Sequence, residues 1–457
     1  MTDAGKREGA GSVEIRLPSS VNIILDTLHR AGFEAYVVGG CVRDSILGRT
    51  PDDWDITTSA MPQQTKKLFR RTVDTGIQHG TVTVLIGSEQ FEVTTYRIDG
   101  DYEDGRHPEK VTFTRSLLED LKRRDFTINA MAYSEESGIV DEFDGMGDIR
   151  RGVIRAVGDP RERFSEDALR IMRAVRFAAQ LDYRIDPPTE SAVRELAGNL
   201  RKISAERIRT ELVKLLVSAH PDRMRDVWSL GITRVILPEF DACMACPQNN
   251  PHHIYSVGEH ILHTLSAVPA DTVLRMTMLL HDIGKPDCRS TDADGIDHFC
   301  GHAEKSAEMA DGIMRRLKFD NATRKKTVQL IRFHDLRIGP DAAQVRRAMV
   351  QVGPDLFPDL LAIWRADAAA KAPATREKIE RETKAIEETA GDIFKRGDCL
   401  SLGDLAVNGG DLLRTGRYKG AQIGRILNRM LGDVVDDPSR NSREYLLQAL
   451  DEGRYDA

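Results

Sequence analysis

The stretch that most limits what this chain can fold into is AYVVGGCVRDSILGRTPDDWDITT, residues 35–58. It opens as an apolar run of strand type, breaks at Gly39-Gly40, carries Arg43 and Asp44, and closes on Asp53-Trp54-Asp55. On an extended strand, residues i and i+2 face the same side. Asp53 and Asp55 therefore project together and can hold a divalent cation between them. Oxygen-only sites with few protein ligands suit Mg²⁺, which takes its other ligands from phosphates and water. A glycine pair straight after a strand lets backbone approach a phosphate with no Cβ in the way, and Arg43 then supplies positive charge for a triphosphate tail. An Asp-x-Asp pair alone is common in surface turns. With GGxVRD upstream, the combination points to nucleotidyl transfer.

At 457 residues the chain is long enough for about three domains. Its 40% hydrophobic and 30% charged residues fit a soluble globular protein, and no apolar run approaches the ~18 residues of a membrane span. The N-terminal MTDAGKREGAGSVE is polar and Gly-rich, lacks the apolar centre of a signal peptide, and is expected to be flexible. Six cysteines (Cys41, Cys243, Cys246, Cys288, Cys300, Cys399) are too scattered for a disulfide framework, which makes the cytosol the default compartment. The net charge of −7 argues against indiscriminate nucleic-acid binding. Residues 150–226 run the other way, with 17 Lys/Arg against 12 Asp/Glu, which suggests a localised polyanion site.

Periodicity predicts a helix over 16–34 with Leu17, Val21, Ile24, Leu25 and Leu28 on one face, and another over 62–71. GTVTVLI (80–86) and QFEVTTYRI (90–98) read as a hairpin across Gly-Ser-Glu. Alternation puts Glu92 on the face opposite Phe91 and Val93, where it could be a third acid beside Asp53 and Asp55, or simply an exposed strand residue. Residues 100–113, with DGRHP, read as a mobile loop. Arg123, Arg124, Asp125 and Asn129 gather at the start of an apolar helix, and 138–157 reads as a short β pair. From there the pattern is helical. In RFSEDALRIMRAVRFAAQLDY (163–183), Ile171, Met172, Val175 and Ala179 form an apolar stripe, while Asp167, Arg170, Arg173 and Arg176 fan over the opposite face. Asp167 and Arg170 are close enough to grip one base; Arg173 and Arg176 suit phosphates, acidic loops or solvent.

Taken in order, GGCVRD, DDWDITTSA, HGTVTV, FEVTTYR, DGRHP, RRDFTINAMA, EDALRIMRAVRF and ERIRTELVKLL resemble the blocks of the class II CCA-adding tRNA nucleotidyltransferase and poly(A) polymerase family. The resemblance covers about residues 16–240, with a weaker match at the C-terminus. It implies an Mg²⁺-dependent enzyme that extends tRNA with CTP and ATP, with Asp53 and Asp55 as catalytic metal ligands. It further implies that Gly40, Arg43 and Arg124 contact the triphosphate, that Asp167 and Arg170 read the base, and that Arg173 and Arg176 belong to the nucleotide site. Poly(A) polymerases and enzymes that add only CC or only A share these blocks. The full-length loop over 99–113 favours complete CCA addition.

PHHIYSVGEHILHTL (251–265), LRMTMLLHDIGKP (274–286) and ADAAAKA introduce different chemistry. His260, His281-Asp282 and Asp367 resemble the H…HD…D set of an HD domain, which holds a divalent transition metal for phosphoester hydrolysis. His302 and His334 could add ligands for a second ion. Cys243-Met-Ala-Cys246 has no matching second pair and reads as incidental. The Gly-rich GRYKGAQIG near the C-terminus could meet an RNA phosphate at a helix start.

The expected architecture is α+β: a flexible N-terminus (1–15), a small mixed-sheet nucleotidyltransferase head (16–157), then mostly helical neck (158–245), HD (246–370), connector (371–395) and tail (396–457). A poly(A) polymerase, or an HD phosphohydrolase with a nucleotide-binding head, are the competing expectations. No membrane partner is expected, and the sequence does not specify an oligomeric state.

Overall fold

A computed structural model describes residues 14–99 and 111–455. Most of the Gly-rich N-terminus and the DGRHP segment, on which flexibility and loop length were read, lie outside the described residues.

The first part alternates apolar and polar residues over short runs, and each run becomes a strand: β1 (Ala35–Val38), β2 (Ile56–Thr58), β3 (Thr72–Gly76), β4 (Thr81–Ile86), β5 (Glu89–Thr95), β6 (Arg97–Asp99), β7 (Val111–Phe113), β8 (Met131–Ser134) and β9 (Gly138–Asp141). Seven form one mixed sheet in the order β3-β4-β5-β2-β1-β8-β9, while β6 and β7 pair apart from it. Within the large sheet only β2 and β5 run parallel. In β5, Phe91, Val93 and Thr95 are buried and Glu92 is exposed, as the alternation requires. The helix Ser19–Arg30 buries Val21, Ile24, Leu25 and Leu28 and packs beside β1.

Three local expectations give way. Arg123, Arg124, Asp125 and Asn129 do not start an apolar helix: the helix Leu117–Lys122 ends just before them, a single tight turn covers Thr127–Asn129, and the apolar residues that follow are β8, buried in the sheet. Residues 138–157 are not one β pair. Gly138–Asp141 pairs back onto β8, Gly145–Arg151 is a helix, and Val153–Ile154 pairs in parallel with Arg184–Ile185. The Asp141 carboxylate starts that helix by accepting from the N–H groups of Gly145 (2.7 Å) and Met146 (2.9 Å), a side-chain cap that competes with strand pairing. The helix expected over 163–183 breaks at Asp167, whose backbone is extended (φ −136°, ψ 103°). Asp167 Oδ1 accepts from Leu169 N–H at 2.9 Å and caps the helix Leu169–Leu181, the neck helix below. Nearly every residue of the neck helix is buried, Arg170 and Arg176 included. Its arginine-bearing side is an interior seam rather than a solvated face.

The chain folds as two compact units. One runs to Leu215 and includes Asp226–Ile236; the other is Leu216–Arg225 with everything from Leu237. The first contains the sheet and the neck helix. The second is helical apart from a small ladder between Ser290–Thr291 and Asp297–His298. It ends in the connector helix Pro373–Arg396 and a tail packed around Leu412, Ile426, Met430, Val434, Leu446 and Leu450. All six cysteines are free. Among the described residues no helix is long and apolar enough to cross a membrane.

Candidate active site and metal centre

The acidic pair sits where β2 enters the sheet. Val38 N–H donates to the Asp55 carbonyl at 3.0 Å, docking this entry on β1. The parallel register sets Ile56 opposite Val93 and so brings Asp55 level with Glu92. Asp53, Asp55 and Glu92 are all exposed. Loss of surrounding water, then the charges of Asp53 and Glu92, raise the Asp55 carboxyl above its ordinary value, against the pull of Arg124. Among the described residues, neither Asp53 nor Asp55 forms an ion pair. Clustered carboxylates without a cationic partner are what a divalent ion relieves, so these residues fit Mg²⁺.

Gly39, with φ +85°, turns the chain from β1 into the helix Gly40–Ile46. A Cβ there would stand 3.0 Å from Arg124 Nη1, so the glycine is needed both for its backbone and for the guanidinium passing it. Arg124 lies 3.6 Å from Asp120 Oδ2, and its Nε is buried without a hydrogen-bond partner. Asp120 is wholly buried. It accepts from Thr57 Oγ1 (3.1 Å), Arg123 Nε (3.0 Å) and Arg123 Nη2 (2.8 Å). Burial alone would raise its carboxyl, but Arg123, Arg124 and Thr57 more than offset that and lower it. Asp120 thus ties β2, two residues beyond Asp55, to the RRDF block. Arg43 is almost enclosed, donating to Asp44 through Nε (3.0 Å) and Nη2 (2.8 Å) and to Asn129 Oδ1 through Nη1 (2.5 Å).

The neck helix is joined to this head by charge. Asp125 accepts from Arg173 Nε at 2.6 Å and Nη2 at 2.5 Å, from Asn129 Nδ2 at 3.1 Å and from Phe126 N–H at 2.8 Å. Burial pushes its carboxyl up; Arg173, Asn129 and Arg170 outweigh that and hold it at about 2. Arg176 Nε pairs with Glu211 at 2.5 Å, and Nη1 donates to Gln180 at 2.8 Å. Arg170 donates through Nη1 to Glu166 (2.6 Å) and the Arg163 carbonyl (3.1 Å), and through Nη2 to the Arg123 carbonyl (2.9 Å). Its Nε–H and one N–H of Nη2 keep no partner among the described residues. Asp167 pairs with Arg207, whose Nη2 lies 2.8 Å from Oδ2. Arg170 and Asp167 therefore flank the same helix start, each held by another charge rather than by the other.

In the second unit, helices and their ends bring six expected ligands together. His260 lies on the helix Val257–Leu265, His281 and Asp282 follow the buried helix Thr272–Leu280, and Asp367 lies on the helix Phe357–Ala369. His302 opens the helix His302–Arg316, and His334 follows the helix Asn321–Phe333. The Nδ1 atoms of His281, His302 and His334 lie 2.8, 2.8 and 2.6 Å from the carbonyl oxygens of Met278, Phe299 and Ile331. A carbonyl only accepts, so Nδ1 carries the proton and Nε2 presents its lone pair inward. Asp282 Oδ2 lies 3.3 Å from His281 Nε2 and 3.6 Å from His260 Nε2. Its Oδ1 lies 3.5 and 3.6 Å from Nε2 of His302 and His334, which are themselves 3.2 Å apart. Among the described residues His281 Nε2 is buried without a hydrogen-bond partner. Asp367 Oδ1 lies 3.0 Å from His260 Nε2. Burial pulls the His260 and His302 imidazoles down, which keeps lone pairs free for a metal. Imidazole lone pairs converging on a carboxylate fit divalent cations, with His260, His281 and Asp282 for one and Asp282, His302 and His334 for another, and Asp367 Oδ1 stands beside His260 at the first. The centre opens on a cavity of about 410 Å³, where Lys285 pairs with Asp282 at 2.7 Å and Lys371 pairs with Asp367.

Sequence reading missed several of these residues. Arg207 and Glu211 stand in the ERIRTELVKLL block without a role assigned to them. Lys371 follows Asp367 by four residues, the helical spacing for an ion pair, and that signal was available. Asp120 had none, because complete burial is invisible in a charged helix segment. Part of the basic excess over 150–226 is taken up by nearby carboxylates, with which Arg155, Arg161, Arg170, Arg176, Arg194 and Arg207 all pair. The candidate metal groupings among the described residues contain no cysteine.

Comparison with known proteins identifies the family and the fold. Residues 35–155 match the poly A polymerase head domain, residues 182–244 the probable RNA and SrmB-binding site of polymerase A, and residues 290–450 a putative second domain of tRNA nucleotidyltransferases. The CCA-adding enzyme of Levilactobacillus brevis is 36% identical over 430 residues, 93% of this chain and 96% of that protein. The crystal structure of the Bacillus stearothermophilus CCA-adding enzyme in complex with CTP superposes with a TM-score of 0.71 at 29% identity, covering 95% of this chain and 97% of that one. The fold is shared as well with the Thermotoga maritima CCA-adding enzyme complexed with tRNA, at a TM-score of 0.58, 20% identity and coverage of 96% and 97%. On these grounds the chain belongs to the class II CCA-adding tRNA nucleotidyltransferase and poly(A) polymerase family.

Proposed function

We propose that this protein adds or repairs the 3′-terminal CCA of tRNA from CTP and ATP in the cytoplasm, using the acids of the head and the charged start of the neck helix. The observation that supports this most directly is the Asp53, Asp55 and Glu92 group, in which neither Asp53 nor Asp55 forms an ion pair among the described residues and Asp55 feels the charge of Arg124. Asp53 and Asp55, with Glu92 beside them, would hold Mg²⁺, which when bound draws charge off the α-phosphate and the attacking tRNA 3′-hydroxyl. That hydroxyl gives its proton to solvent as its oxygen attacks in line, the new O–P bond forms, the bond between the α-phosphorus and the bridging oxygen breaks, and pyrophosphate leaves. Gly40 leaves room for the phosphates, while Arg43 and Arg124 neutralise the departing pyrophosphate. Arg173 and Arg176 act behind them, as the charged seam that holds the neck helix.

Selection of C and A follows from one carboxylate and one guanidinium. Asp167 accepts from the exocyclic amine that cytosine and adenine share, and the remaining Arg170 donors meet the adjacent ring nitrogen or carbonyl. Guanine and uracil present a carbonyl to Asp167 and leave a buried polar group unpaired, which discriminates steeply. Arg207 holds the Asp167 carboxylate in place.

The test is single-nucleotide sizing of products from tRNA ending before, within or after CCA, with Mg²⁺ and with CTP and ATP apart and together. Growth by three nucleotides, CTP required before ATP and no growth beyond, is the expected result. A single A on tRNA ending in CC would make it an A-adding enzyme, and a long A ladder a poly(A) polymerase. No extension at all would overturn the reading.

The imidazoles locked by backbone carbonyls around Asp282 favour a second activity. We infer that this centre binds divalent transition metal and hydrolyses a phosphoester. Water would supply its oxygen to phosphorus and a proton to the departing alkoxide as the ester P–O bond breaks, with Lys285 and Lys371 near the phosphate. His281→Ala should abolish metal-dependent phosphatase turnover while leaving CCA addition intact; phosphatase turnover retained in that variant would remove the assignment.

A further inference from the structure

Phe177, on the neck helix, has a surrounding that packing alone does not call for. It is almost fully buried. Three guanidinium groups approach its ring: Arg176 at 3.8 Å from the centroid, Arg43 at 4.9 Å and Arg173 at 5.3 Å. Each has its own carboxylate, Asp44 for Arg43, Asp125 for Arg173 and Glu211 for Arg176. Phe126 of the RRDF block meets the same ring edge-on, with centroids 5.8 Å apart at 82°. Three like charges gathered in a dry site repel one another. An aromatic face is the one apolar surface that attracts each of them, and that attraction grows as water is excluded.

The ring thereby links two parts of the site. Arg43 comes from the Gly39-Gly40 turn of the head, while Arg173, Arg176 and Arg170 share the neck helix with Phe177. The Arg43 guanidinium is fixed on three sides, by Asp44, by Asn129 and by the Phe177 ring. The first two supports come from the head itself; only the third comes from the element that starts at the base-reading residues. We propose that Phe177 is a positioning residue for nucleotide addition, holding Arg43 at the angle that meets the triphosphate of the incoming nucleotide and tying that angle to the seating of the neck helix. This rests on the phosphate role given to Arg43 above.

The proposal separates triphosphate from base. A displaced Arg43 weakens a contact that CTP and ATP make in the same way, so both nucleotides should suffer equally. The order of addition and the preference for C and A over G and U should persist, since Asp167 and Arg170 are untouched.

The experiment uses the full chain, tRNA substrates and three variants, each checked by thermal unfolding. Phe177→Met keeps apolar volume but removes the ring, Phe177→Tyr keeps the ring, and Arg43→Gln tests the underlying role. Expected is a rise of about tenfold in KM for both CTP and ATP in Phe177→Met, with KM for tRNA and the CTP-to-ATP ratio unmoved, and recovery to within about threefold of the parent in Phe177→Tyr. A folded Phe177→Met enzyme with parental KM values, or a folded Phe177→Tyr enzyme as impaired as the Met variant, would overturn the proposal. If Arg43→Gln also leaves KM and kcat at parental values, the phosphate role of Arg43 falls with it. If Arg43→Gln is impaired and Phe177→Met is not, only the Phe177 inference falls.

Discussion

Asp55→Asn should lower the rate of nucleotide addition to tRNA by at least about a thousandfold, some 4 kcal/mol of lost transition-state stabilisation, and should not lower the thermal midpoint. The two halves come from one fact. Loss of surrounding water and repulsion from Asp53 and Glu92 raise the Asp55 carboxyl above its ordinary value, so the folded protein holds this charge unwillingly. Removing the charge relieves the repulsion and leaves the shape, while the cation site loses an oxygen ligand. Steady-state incorporation of CMP and AMP, together with a thermal melt with and without Mg²⁺, checks both. The parent should gain stability from Mg²⁺ and the variant should lose most of that gain. A variant that keeps its activity would remove Asp55 from the metal site.

Asp125→Ala should cost about 3–5 kcal/mol of stability at neutral pH, the scale on which a buried ion pair loses one member. Asp125 is buried between head and neck, and its removal strands the Arg173 guanidinium and Asn129 Nδ2. The same residue predicts a pH dependence. Its carboxyl falls from the ordinary 3.8 to about 2 in the folded protein, so the folded state binds this proton less readily than the unfolded chain. The stabilisation is fully present above about pH 4 and disappears as pH falls through about 2, and it amounts to roughly 2 kcal/mol. Urea unfolding of the parent between pH 5 and pH 2 should show this loss, and Asp125→Asn should flatten it. Equal pH slopes in parent and Asn variant would overturn the assignment.

Much of the site was legible in one dimension because it depends on short-range geometry. Glu92 lies opposite Phe91 and Val93 by strand alternation, and the parallel register then brings it level with Asp55, which with Asp53 stands just before β2 rather than on it. His281-Asp282 at the end of an apolar helix and His260 one helix earlier carry their chemistry in their spacing. Other features were not legible. The break at Asp167 depends on a cap to Leu169 and on Arg207 from a later helix, and periodicity alone runs straight through it. The helix at 145–151 depends on one carboxylate choosing backbone N–H groups over a strand partner.

The sequence by itself determined the residue types, their order and the alternation that builds the sheet, and with them the family and the chemistry expected of the head. Tertiary structure alone decided which charges meet. Arg173 and Arg176 look alike on a helical wheel, yet one holds Asp125 in the head and the other is paired with Glu211. Arg43 could have faced solvent, yet it is enclosed between Asp44, Asn129 and the ring of Phe177. The physical reason is burial. In water each of these arginines is interchangeable and its pairing is worth little, whereas in a desolvated seam a guanidinium must find a specific carboxylate or aromatic face, and all of those partners except Asp44 lie 35 to 134 positions away along the chain, at distances that only the packed fold closes.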